Sequence, residues 1–263
     1  MTAQQAFVDV GGRRIRHHVV GDGGDAVVLV HGFGGSLESW RDTQAALAAA
    51  GHTVAALDLP GHGESSLDVG SGSLDELAAV VRGYLDAVGI GRAHLVGHSM
   101  GAALCLVLAD HEAALVRSLT LVAPAGLGQK INADVIRGLV AARSRAELVP
   151  LLQVLSGADA SVSDELVDSM VAHKQRPGAV EALSKIAGSR YTGTPAGRSL
   201  RDVAGTVPTL MIWGVDDRMI PPPAPGELAR EGVLVRVLPR CGHMVQVEAA
   251  DEVNRLIADF VRS

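Results

Sequence analysis

A chain of 263 residues with 48% hydrophobic and only 20% charged side chains has material for a large core, either one α/β domain with an insertion or two small domains. Its formal charge of −6 is spread without basic blocks, which argues against nucleic acid as a partner, and no apolar run approaches the roughly 20 residues needed to span a bilayer. The opening MTAQQAFVDV lacks the basic-then-apolar order of a signal peptide, and two cysteines outside any metal-ligand pattern, Cys105 and Cys241, fit a reduced, cytoplasmic protein.

In chain order, FVDV and RRIRHHVV flank Gly11-Gly12 and predict an antiparallel hairpin, with the next turn at 21–25. AVVLV at 26–30 is a continuous apolar run, as expected of a strand buried on both faces of a parallel sheet. Similar runs recur at 53–58, 93–96, 118–122, 209–213 and 233–238. Helices fall between them. Ser73, Leu74, Asp75 and Glu76 open a capping box for a helix reaching about Val88 and ended by Gly89. An Ala/Leu-rich helix follows Ser99, and the last helix carries Val253, Leu256, Ile257, Phe260 and Val261 on one face. This alternation predicts an α/β fold, a mostly parallel sheet flanked by helices.

One interval breaks the rhythm. Between Val122 and Val207 the sequence offers no strand but four helical patterns, at 133–142, 145–155, 163–173 and 179–187. A structureless loop of that length is improbable. The expectation is a helical lid over residues 125–205, inserted between core segments 1–124 and 206–263, at the strand ends where open α/β sheets bind ligands. Such a lid should select the substrate while contributing little to the chemical step. It holds ten Lys/Arg against eight Asp/Glu, a balance that fits an anionic substrate and solvated helix faces equally.

The residues that carry chemistry sit where strands end. In HLVGHSMGAALCLVLAD, Gly97 and Gly101 bracket Ser99 on a tight strand-to-helix turn. A serine hydroxyl needs a base and a third group that orients the base. Among ten histidines, His17 and His18 lie in the hairpin, His94 and His111 read as surface positions, His52 as a loop residue and His62 as part of a turn. His98 is expected to point away from the base's position, and His173 to lie on the surface of a lid helix. His243, in PRCGHM after the last strand, is placed to reach Ser99. The acid should follow the preceding strand, where Asp216 and Asp217 stand just past Trp213; position alone does not separate them. Backbone donors for an oxyanion are expected from Met100, at the start of the helix after the serine, and from Phe33, in the glycine-rich loop VLVHGFGG.

LVHGFGG, LDLPGHGESS, LVGHSMG, WGVDDRMIP and CGHMVQVEAADEVN together resemble the α/β-hydrolase-fold family over nearly the whole chain. The resemblance implies a serine hydrolase with Ser99 as nucleophile, His243 as base, and Phe33 and Met100 as oxyanion donors. The family's acid commonly stands four residues before a proline, so Pro221 selects Asp217. An aspartate nucleophile, as in haloalkane dehalogenases and epoxide hydrolases, is excluded by Ser99 itself. Cys105 and Cys241 read as core or loop residues.

VAPAGLGQKIN, SRAELVPLLQVL and GHMVQVEAADEVNRLI carry a narrower resemblance, to the hydrolase-like acetyltransferase subunits of bacterial acetoin dehydrogenase complexes. Those subunits normally carry a lipoyl domain in front. Here the hydrolase begins near residue 6 and the three lysines, Lys130, Lys174 and Lys185, all lie in the expected lid, so acetyl transfer to dihydrolipoamide would call on a separate lipoyl protein. The expected activity is hydrolysis of a small ester or thioester through an acyl-serine, with no cofactor or metal implied. Acetyl transfer, carbon–carbon bond hydrolysis and a non-catalytic docking or ligand-binding role stand as alternatives.

Overall fold

The N-terminal hairpin forms where its glycine turn allows: β1 (Ala6–Val10) and β2 (Arg13–Val20) pair antiparallel across Gly11 and Gly12, both at positive φ. The computed structural model describes residues 6–188 and 197–262. The chain continues through β3 (Ala26–Val30), α1 (Arg41–Ala49), β4 (Thr53–Leu57), α2 (Leu74–Ala87), β5 (Ala93–His98), α3 (Met100–His111) and β6 (Val116–Val122). Next come α4 (Ala133–Ala141), α5 (Arg145–Leu155), α6 (Asp164–Lys174), α7 (Ala179–Ala187) and α8 (Leu200–Val203). The last stretch is β7 (Thr209–Gly214), β8 (Val233–Leu238), α9 (Val245–Glu248) and α10 (Ala250–Arg262).

Eight strands form one sheet in the order β1-β2-β4-β3-β5-β6-β7-β8. It is antiparallel at β1–β2 and β2–β4 and parallel from β4 through β8. The strand order reverses at β3, which pairs with β4 on one side and β5 on the other, Val30 opposite Gly97. The loops leaving β3 and β5 therefore open beside each other at the strands' carboxyl ends, the usual ligand position in such sheets.

Apolar side chains on both faces hold the helices to the sheet. One face packs Val28, Val30, Leu95, Leu119 and Leu121 with α2, α3 and the helices between β6 and β7. The other packs Val27, Leu29, Val96 and Ile212 against Trp40, Leu47, Val253, Ile257 and Val261 of α1, α10 and the turn before α1. Each such side chain, fully buried, is worth about 1.5–3 kcal/mol relative to exposure. In α3 every residue from Met100 to Ala109 is buried, whereas α10 buries only the face with Val253, Ile257 and Val261.

The predicted strands and the four helices of the long interval are all present, and among the described residues no strand lies between Val122 and Thr209; residues 189–196 of the expected lid lie outside the described ones. The capping box at Ser73 is half made. Its hydroxyl accepts from the Glu76 amide at 3.3 Å, but the Glu76 carboxylate turns back to Ser71. A reciprocal box closes instead at Ser144 and Glu147 of α5. α1 has no counterpart among the predicted elements, because RDTQAALAA carries a weak apolar stripe and no capping side chain precedes it. α8 and α9 are single turns of four residues, too short for periodicity to reveal.

Candidate active site

β5 delivers Ser99 at φ 53° and ψ −113°, a backbone conformation rare for any residue with a Cβ. Strain of this kind, about 1–3 kcal/mol, persists only where the surroundings over-determine it. They do here: the Ser99 amide donates to Val122 O at 2.9 Å, and its carbonyl accepts from Ala102 and Ala125 at 3.1 and 3.2 Å. The bracketing glycines are sterically required. A Cβ on Gly97 would lie 2.5 Å from Gly101 O, and one on Gly101 would lie 2.2 Å from Val30 O. Gly101→Ala should therefore destabilise the protein by about 1–3 kcal/mol, seen as a fall of several degrees in the thermal midpoint. Gly91→Ala, where a Cβ meets nothing within 4 Å, should leave the midpoint unchanged.

β7 and β8 end side by side, Gly214 opposite Leu238, and bring the next two residues together. His243 Nδ1–H donates to Asp217 Oδ2 at 2.8 Å. The other oxygen, Oδ1, accepts from the amides of Met219 and Ile220, both at 2.8 Å. The side chains are 4% and 0% exposed, so neither ring nor carboxylate competes with water for its partner. Asp217, not Asp216, holds the imidazole; Asp216 is half-buried in the turn and its amide donates to Cys241 O at 2.8 Å. With Nδ1 carrying the proton, Nε2 is left as the basic nitrogen. The Ser99 hydroxyl and His243 are not hydrogen-bonded to each other in this structure; contacts of this type commonly tighten only when substrate is bound.

Ser99 opens into a cavity of about 460 Å³ that Phe33 and Met100 also line. Met100 is the first residue of α3, so its amide has no acceptor within the helix and sits at the positive end of the helix dipole. The loop carrying Phe33 passes so close to the elbow that a Cβ on Gly32 would lie 2.7 Å from His98 Nδ1 and 3.1 Å from Ser99 Cβ. The remaining wall is mostly aliphatic. α4 contributes Ala133, Ile136, Arg137 and Val140, one helical face, and Ala125, Met219 and Ile220 also line the cavity.

Three histidines differ from their expected surroundings. His98 does not point away from His243. Its Nε2–H donates to His243 O at 3.0 Å and its ring lies 4.8 Å from that of His243, with burial first and His243 second pushing its pKa well below the usual imidazole value. His94 is buried rather than superficial, 2.8 Å from Ser118 Oγ. His173 is half-buried against Gly61 O and Gly63 O at 3.0 and 3.1 Å. Each faces a partner distant in sequence, which no local pattern announces.

Sequence reasoning also passed over His31. Its Nδ1–H donates to Gly32 O at 2.8 Å while Nε2 accepts from the Leu59 amide at 3.0 Å. Gly32 C=O belongs to the same rigid peptide unit as Phe33 N–H, so His31 fixes the direction of that amide. Burial drives its pKa down to about 4, which keeps the ring neutral for this pairing. Cys105 is buried, its thiol pushed up to about 12 by desolvation, and Cys241 bonds to Pro239 O. Among the described residues, no cluster of three or more histidine, cysteine or acidic side chains is arranged to hold a metal ion, and no helix is long and apolar enough to cross a membrane.

A family model described as the alpha/beta hydrolase fold matches residues 25–250. The dihydrolipoyllysine-residue acetyltransferase component of the acetoin cleaving system of Pseudomonas putida is 44% identical over 257 residues, covering 97% of this chain and 68% of that protein. The 2-hydroxy-6-oxononadienedioate/2-hydroxy-6-oxononatrienedioate hydrolase of Cupriavidus pinatubonensis is 31% identical over 265 residues, covering 94% of this chain and 90% of that protein. Among solved structures, a meta-cleavage product hydrolase from Pseudomonas fluorescens superposes with a TM-score of 0.83 at 26% identity, over 98% of this chain and 97% of the other.

Proposed function

This chain belongs to the α/β-hydrolase-fold family and is an enzyme of that family, and from that premise we propose that it is a serine acyl hydrolase acting on a small ester or thioester. The observation that supports this reading most is the buried Asp217–His243 pair at 2.8 Å, set at the same strand ends as a strained serine that opens into an aliphatic cavity. In this reading His243 Nε2 takes the Ser99 proton as Oγ attacks the acyl carbonyl. The negative oxygen of the tetrahedral intermediate is met by the amides of Phe33 and Met100. Collapse expels the alcohol or thiol, which leaves with the proton from His243, and the acyl group remains on Ser99. An incoming water or thiol then gives its proton to His243 and releases the acyl group by the reverse sequence.

The helices between β6 and β7 serve as the lid of this site, with the aliphatic face of α4 as the wall that measures the acyl chain. Such a wall discriminates a methylene by only about 1–3 kcal/mol, so selectivity among short acyl groups should be graded. A non-catalytic docking role loses its motive once the relatives are enzymes.

A second reading has its own support. The Pseudomonas putida relative, at 44% identity, is named as an acetyltransferase component, which favours dihydrolipoamide on a separate lipoyl protein, within a dehydrogenase complex, as the acceptor. The relatives named as hydrolases of 2-hydroxy-6-oxo acids, at about 31% identity, favour carbon–carbon bond cleavage less strongly. Incubation with a panel of acyl esters and thioesters at neutral pH, followed by mass spectrometry, should find the acyl mass on the peptide containing Ser99. If added dihydrolipoamide accelerates loss of that adduct and becomes acetylated, the acceptor is the thiol; an unchanged rate assigns water. An adduct on any other residue overturns the serine mechanism.

A further inference from the structure

The base side chain is oriented through one hydrogen bond, from Nδ1 to Asp217, so its aim depends on how firmly its backbone is held. The His243 amide donates to Leu155 O at 2.7 Å, and its carbonyl accepts from His98. The neighbouring Gly242 amide donates to Glu248 Oε2 at 3.0 Å. That same oxygen accepts from the Gly157 amide at 2.7 Å. Leu155 is the last residue of α5 and Gly157 lies two residues beyond it, so the inserted helices reach the base's backbone both directly and through Glu248. The acid's loop joins the same point, because Arg218 donates to Gln153 O and, at 3.2 Å, to Ser156 O.

The packing leaves no slack. A Cβ on Gly242 would lie 2.5 Å from Leu155 O, and one on Gly157 would lie 2.6 Å from Arg240 O and 2.8 Å from Glu248 Oε2. Both glycines are buried, so loss of the carboxylate strands two amides away from water. Arg240, in the loop that leads to the base, holds φ at 59° without being glycine, a conformation that its surroundings must enforce.

We propose that Glu248 is a positioning residue for the base: it stitches the end of α5 to the loop of His243, so that seating the inserted helices and aiming the imidazole are one event. The proposal rests on the reading of Ser99 and His243 as nucleophile and base. It changes the part expected of the insertion, whose α5 end then supports the chemical step as well as covering the cavity.

The test measures p-nitrophenyl acetate hydrolysis and the rate of Ser99 labelling by a fluorophosphonate. Glu248→Ala should lower kcat and the labelling rate by about 10- to 100-fold with KM within about twofold, since a misplacement of order 1 Å costs that much in rate. Glu248→Gln keeps an oxygen for the two amides and should recover activity to within about threefold of native. Gly157→Ala, made in the insertion, should reproduce the loss by displacing the carboxylate. The double variant Gly157→Ala/Glu248→Ala should be no worse than either single one, as for residues that act as a unit. A folded Glu248→Ala protein with native kcat, a Gln variant as impaired as the Ala variant, or additive losses in the double variant overturns the proposal. Should Glu248→Ala fail to fold, Gly157→Ala and Glu248→Gln still decide it. Native protein that does not label at Ser99 overturns the underlying mechanism as well, whereas native labelling with an unaffected Glu248→Ala rate sinks the positioning role alone.

Discussion

Ser99→Ala should lower turnover of any accepted acyl ester by roughly 10⁴–10⁶-fold while leaving the fold intact, the scale of loss when a nucleophile that works with a base is removed. The fold should survive because the hydroxyl caps nothing: α3 begins without a side-chain hydrogen bond from Ser99. The elbow is built from the Ser99 backbone and the two glycines. Alanine at φ 53° bears the same Cβ strain that serine already bears, so the stability change should stay within about 1 kcal/mol. A fluorophosphonate probe should label the native protein at one position and fail on the variant. Residual turnover near the native rate, or labelling elsewhere, removes Ser99 from the mechanism.

The glycines of that elbow show what a sequence states openly. GxSxG between an apolar run and an Ala/Leu-rich run encodes a turn whose steric demand is local, and in the structure a Cβ added to Gly97 or Gly101 would come within 2.5 Å of a backbone oxygen. Runs such as AVVLV and TLMIW were equally legible, because a strand buried on both faces must be apolar throughout. Pairings across the fold were not. That His98 faces the His243 carbonyl, that His173 faces Gly61 and Gly63, and that Glu248 bridges Gly157 and Gly242 depend on segments about 90 to 145 residues apart or on a loop folding back on itself. A single polar side chain carries no periodicity, so its partner emerges only from the sheet order.

The insertion illustrates the same limit at a larger scale. Its four helices could be read from their helical patterns, two of which open at capping serines in the structure, Ser144 of α5 and Ser163 of α6. Its tie to the chemistry could not, because the contact is made by backbone atoms of Leu155, Ser156 and Gly157, and backbone groups are the same in every sequence. Only the glycines at 157 and 242 hint at close approach, and glycine is just as common in loops where it merely allows a turn.

Asp217→Asn should cost on the order of 10³–10⁴ in rate, although it changes one atom and almost no volume. The reason lies in how the carboxylate is engaged. Oδ1 is committed to the amides of Met219 and Ile220, both at 2.8 Å, and only an oxygen can serve those two donors. An asparagine must therefore keep its oxygen there and turn its NH₂ toward His243 Nδ1. Two donors cannot face each other, so the imidazole shifts its proton to Nε2, and Nε2 can then no longer accept from Ser99. The charge that stabilises the imidazolium formed during attack is lost at the same time. Asp216→Asn faces neither constraint: its carboxylate is half-buried in the turn, its amide bond to Cys241 O is untouched, and the loss should stay below about tenfold, the scale expected for a residue outside the unit. Comparing kcat/KM of the two variants on an acetyl ester, with labelling at Ser99 as a second readout, separates the aspartates. If the larger loss falls on Asp216, the hydrogen bond between Asp217 and His243 is structural and the base takes its orientation from elsewhere.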